Sequence, residues 1–218
     1  MTAIPVANHH CATVSSRAAH IRDMGEMAIV LLLYAGLVWR LLPLDGEQWA
    51  ITNLLLLPSE GLVVFFMVFR RPASRISAHS RDWLLALSAT VTPMLVRPAI
   101  GASLVWPVLG AGLLLMGTII QVHAKLSLGR SFGCVPANRG LKLTGPYRLV
   151  RHPMYAGYLL GHAAFLLVNF TVWNAAVYAI SYALQIPRLL SEERLLDEDP
   201  RYRAYRAEIK FRLIPGIF

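Results

Sequence analysis

Two short stretches of the 218-residue chain carry side chains whose types and spacing suit chemistry. The first is GPYRLVRHPMYAG, Gly145 to Gly157. Gly145-Pro146 reads as a turn. Pro153 suits the first turn of a helix, where its missing N–H would be unpaired anyway. His152 then stands at the cap, and His152, Tyr155, Leu159 and His162 follow at i, i+3, i+7 and i+10 along one helical stripe. A helix start with Arg148 and Arg151 beside it favours an anion such as a carboxylate. The second stretch is RLLSEERLL, Arg188 to Leu196. Arg188 and Glu192 lie one turn apart on one face. Glu192 and Glu193 close an apolar run, and acids at a helix C-terminus are disfavoured by the dipole. That local cost points to a bound partner, either a cation or a sugar hydroxyl.

The elements that must hold these residues are apolar. The chain is 56% hydrophobic and 15% charged, with a mean hydropathy of +0.51, against about 25% charged residues in a soluble domain. We read an all-α, polytopic membrane protein of about six membrane helices. The segments run over roughly 24–44, 48–69 (interrupted by Pro58, Ser59 and Glu60), 83–96, 104–122, 153–168 and 172–190, and several approach the ~20 residues that cross a bilayer. The last two form a helical hairpin about Asn169–Asn174. Beyond Leu190 the charges of both signs balance, and Asp199-Pro200 marks the start of a C-terminal cytoplasmic helix packed over the membrane mouth. The chain divides into a loose tail over 1–23, four membrane helices over 24–122, and a region over 123–218 that carries both motifs.

Charge supplies the orientation. The net charge is +9, and the basic residues sit between apolar runs, so we expect no nucleic-acid partner. The loop 40–48 is net −1, 70–82 is +3, and 121–153 is +6. An excess of Lys and Arg marks the cytoplasmic side. Both termini and the +6 loop are therefore expected inside, in an inner membrane of prokaryotic type. Cys11 and Cys134 form no CxxC pair, and His9-His10-Cys11 lacks the spacing of a closed site, so no metal centre is expected. The N-terminal 23 residues have no continuous apolar stretch of the kind found in a cleaved signal. Glu60 and His162 are ionisable residues well inside membrane segments. Each is either a functional group or a helix-packing partner. Tyr202 and Tyr205 are expected as packing residues of the last helix.

RHPMYAG, followed some 35 residues later by SEERLL, resembles the isoprenylcysteine carboxyl methyltransferase family and the related phospholipid N-methyltransferases. The resemblance spans about 126–218, with LGRSF before the motif and YRAYRAEIKFRLIPG after it. It implies a helical membrane enzyme using S-adenosylmethionine. It implies that His152, Tyr155 and Gly157 of the motif and Glu192 and Glu193 of the acidic pair line the cofactor site. Arg188, one turn before Glu192, is tied to substrate and catalysis. Arg148 and Arg151 are expected to contact a substrate or another anion. The reaction expected is carboxyl methylation of an isoprenylcysteine-like group, with an amine headgroup or a thiol as alternative acceptors. A small or lipophilic acceptor would enter sideways from the bilayer. A transporter is disfavoured by the lack of internal repeats. A non-catalytic scaffold is disfavoured by the intact motif.

Overall fold

A computed structural model describes residues 9–41, 51–99 and 103–218. Residues 42–48 of the acidic 40–48 loop, and with them part of the charge argument, lie outside the described residues, as do the side chains of His9, His10 and Cys11.

Helix α1 spans His9–Leu41. The loose tail expected over 1–23 is therefore helical from His9 onward. No proline falls between Pro5 and Pro43, and the polar turn at Asp23 and Glu26 is held by buried ion pairs described below. Ala19 packs with Ile76, Ala86 and Val135 in a small apolar cluster. Helix α2 covers Ile51–Phe69. A two-residue strand, β1 (Arg75–Ile76), pairs antiparallel with β2 (Ala137–Asn138), in register Arg75 to Asn138 and Ile76 to Ala137, and so staples the two basic loops together. Helix α3 (Ser80–Val91) gives way at Thr92 to a 3₁₀ turn through Leu95. Pro93 and Arg97-Pro98 account for that stop.

Helix α4 runs Pro107–Leu128, about six residues further than the sequence suggested. Its extension carries Lys125, expected in the loop, into the interior with no exposed surface. Helix α5 spans Pro153–Val168 and α6 spans Val172–Leu196. The hairpin turn lies where expected, and the Thr171 side chain caps α6 by accepting from the Asn174 amide at 3.0 Å. Helix α7, Pro200–Glu208, starts at the expected proline, with Asp199 accepting from the Arg201 amide at 2.9 Å.

Among the described residues the regular structure is helical apart from the two short strands. By length and composition one helix among the described residues, Val108–Ser131, can cross a membrane, and Glu60–Phe69 and Pro153–Val168 are shorter apolar helices. Its outer face exposes Val108, Leu109, Leu115, Met116 and Ile119, an apolar strip that lipid would cover. Six crossings remain the expectation set by hydropathy.

The tightest packing is between α4 and α5. A Cβ on Gly117 would stand 2.7 Å from the Gly161 backbone nitrogen, and one on Gly157 would stand 2.8 Å from that of Gln121. Small residues in this pattern let two helix backbones touch. Helix α6 leans on α3, and α5 and α6 meet more sparingly.

Candidate active site

Helix α5 begins at Pro153 as its sequence dictates, and His152 precedes it without a side-chain cap. Its first turn faces the last two turns of α6 across a small cleft. His152, Tyr155 and Glu192 line the cleft together with Arg151, Tyr147, Tyr202 and Tyr205.

The two glutamates divide the work. The Tyr155 hydroxyl donates to Glu192 Oε2 at 3.2 Å, and this carboxylate borders the cleft. Glu193 points the other way into an ion cluster. His152 Nε2 lies 3.2 Å and Arg151 Nη1 3.0 Å from its Oε1, while Arg212 Nε lies 3.0 Å from its Oε2. Burial raises the Glu193 carboxyl, but the hydrogen bonds from His152 and Arg212 and the charge of Arg151 outweigh burial and hold it at about 2. Glu193 is thus a tie between α5, α6 and the segment after α7. The same segment crosses the start of α5, where the Arg151 and His152 amides donate to the Phe211 and Arg212 carbonyls at 2.9 and 2.8 Å. The Tyr205 hydroxyl donates to the Tyr147 carbonyl at 2.7 Å and seats α7 over the cleft.

Arg188 is buried behind Tyr155, its guanidinium 5.7 Å from the ring centre. Nη2 donates to the Cys134 carbonyl at 2.8 Å and Nη1 to Gln185 at 3.3 Å, while Nε has no protein partner. Four expected site residues lie outside the cleft lining: Glu193 and Arg188, placed above, and Gly157 and Arg148. Gly157 turns toward α4, where its carbonyl accepts from Gln121 Nε2 at 3.3 Å; it is a packing position that does not line the cleft. Arg148 is exposed and lies outside the cleft lining. Both follow from helical geometry, since residues one or two positions from a cleft-facing side chain point to other faces.

The predicted stripe is present with a different middle. His152, Tyr155 and Tyr158 stack edge to face in succession, and Tyr158 lies flat against His162 at 6.0 Å. His162 Nδ1 lies 3.0 Å from the Tyr182 hydroxyl and its ring stacks on Tyr178, so it is a bonded packing residue of the hairpin. Glu60 lies 4.0 Å from Lys125 Nζ, which stands over the Tyr158 ring at 5.5 Å. Sequence reasoning missed Tyr158, Arg212 and a second ion cluster. In that cluster Arg139 Nη2 contacts Asp23 and Glu26, both at 2.6 Å, and Arg70 contacts the same acids at 2.9 and 3.0 Å. Glu26 Oε1 also accepts from the Cys134 and Val135 amides. Two acids at i, i+3 in a chain with only 12 were the available signal.

The cleft walls and the ion tie come largely from one continuous part of the chain, from α4 to the end of α6. Residues 105–199 match the phospholipid methyltransferase family. The match takes in both RHPMYAG and SEERLL, and the matched region contains every cleft residue named above except those of α7. No curated protein matches the chain.

Proposed function

We propose that the protein is an S-adenosylmethionine-dependent methyltransferase acting on a lipophilic acceptor at the cytoplasmic face of a membrane. One observation carries the reading: His152, Tyr155 and Glu192 of the matched region converge on a single cleft. The residues present fit the cofactor. Glu192 offers a carboxylate to hydroxyl or ammonium groups, Tyr155 and Tyr147 offer aromatic surface, and the start of α5 offers a positive helix end. The cofactor supplies an activated methyl group ready for in-line displacement. The chain supplies position and electrostatics. Tyr155 fixes the Glu192 carboxylate, Glu193 fixes the first turn of α5, and Arg188 fixes the Tyr155 ring from behind.

Carboxyl methylation is favoured by the buried Arg188, whose Nε–H has no protein partner and can donate to an acidic group of the acceptor. That reaction needs no base. The family match favours a second reading, methylation of an amine headgroup, in which a group of the site must take a proton. Calorimetric titration of the detergent-purified protein with S-adenosylmethionine tests the cofactor. Saturable binding is expected, weakened at least tenfold in Glu192→Ala. A folded Glu192→Ala that binds as the wild type does would remove Glu192 from the site. Incubation with lipid extract and labelled cofactor then separates the acceptors, because a methyl ester is released by mild base and a methylated amine is not.

A further inference from the structure

Two buried donors beside the start of α5 have no protein partner. One is the hydroxyl of Tyr202 on α7, a residue only 3% exposed. The other is Arg151 Nε, whose two terminal nitrogens are already engaged by Glu193 and the Lys210 carbonyl. Both residues line the cleft. A buried polar group without a partner is uncommon in a native protein and asks for a reason. Tyr205, one turn away on the same helix, shows the ordinary outcome, since its hydroxyl is satisfied by the Tyr147 carbonyl.

The surroundings say what would satisfy these donors. Burial, followed by the nearby charges of Glu193 and Glu192, pushes the Tyr202 phenol well above its ordinary range, so it keeps its proton and has an O–H to donate. Arg151 Nε–H is likewise a donor. Helix α5 starts here without a side-chain cap, and its positive end adds to the same preference. Glu193 is already matched by two arginines and His152, and Glu192 is turned to Tyr155.

We propose that Tyr202, Arg151 Nε and the start of α5 form a subsite for a carboxylate, filled by the amino-acid end of the cofactor. This rests on the cofactor reading above and adds α7 to the binding site, so that the C-terminal helix closes on the ligand by direct contact. Tyr202, expected from sequence to be a packing residue, is then a ligand residue.

The test is Tyr202→Phe, which keeps the ring and removes the hydroxyl. Affinity for S-adenosylmethionine should fall about tenfold, the effect of one hydrogen bond to a charged group. Affinity for the decarboxylated cofactor should be the same in variant and wild type. Without ligand, the variant should unfold at or above the wild-type temperature, because an unsatisfied hydroxyl has been removed from the interior. Equal loss of affinity for both ligands, no loss for either, or a lower melting temperature without ligand would each overturn the subsite. Failure of the folded wild-type protein to bind S-adenosylmethionine would overturn the cofactor reading first, and the subsite with it.

Discussion

Two buried ion clusters lie on either side of the loop after α4, and they are built differently. Near α1 and α2, two arginines, Arg70 and Arg139, face two carboxylates, Asp23 and Glu26. At the start of α5, a single carboxylate, Glu193, faces Arg151, Arg212 and His152. The first cluster is balanced and joins α1 and α2 to the loop. The second has surplus positive charge, an uncapped helix end and an unpartnered hydroxyl beside it. A balanced buried cluster has completed its electrostatics within the protein. On the proposed reading, an unbalanced one next to a cleft leaves part of them to a ligand.

The largest effect should come from breaking the balanced cluster. Glu26→Gln leaves two buried guanidinium groups sharing Asp23, and removing one partner of a buried ion pair costs about 3–5 kcal/mol. Thermal unfolding in detergent should show that loss with or without ligand. Glu193→Gln should act differently, weakening cofactor binding about tenfold or more by loosening the α5–α6–tail tie, with a smaller fall in melting temperature. Acid sharpens the contrast. The Glu193 carboxyl is held at about 2, below the ordinary 4.5, so its stabilisation is complete above about pH 4.5 and is lost as pH falls toward 2. Melting temperature followed from pH 6 to 3 should drop less steeply in Glu193→Gln than in wild type; parallel curves would end the assignment. The smallest effect belongs to Arg148→Ala. This exposed side chain lies outside both clusters, and a surface substitution there should change stability by no more than about 0.5 kcal/mol. A tenfold loss of acceptor methylation at saturating cofactor in this variant would restore the substrate contact that sequence reasoning gave it.

What was legible in the sequence was local. Pro153 and Asp199-Pro200 fixed two helix starts, NFTVWN fixed the hairpin, and the i, i+3 spacing put His152 and Tyr155 on one face. What was not legible depended on partners far apart in the chain. Lys125, Arg139 and Arg151 count as loop charges when the +6 stretch is summed, yet all three are buried in ion pairs. Asp23 read as the end of a tail because its partner lies 116 positions away. Glu192 and Glu193 are adjacent, and only the helix rotation between them decides that one borders the cleft and the other ties the tail. Gly157 looked like part of a binding motif because it sits inside one, whereas its reason is the nearness of Gln121.

The glycine contact between α4 and α5 bears on how a greasy substrate could reach the site. With Gly117 against Gly161 and Gly157 against Gln121, the two backbones leave no width for an alkyl chain. That flank of the protein is a closed seam. On the proposed reading, an acceptor from the bilayer would enter on the other flank, between α5 and α6, past the packed rings of Tyr158, His162, Tyr178 and Tyr182. Chain length and branching of the acceptor would then be sorted by aromatic rings that can turn, and not by helices that must move.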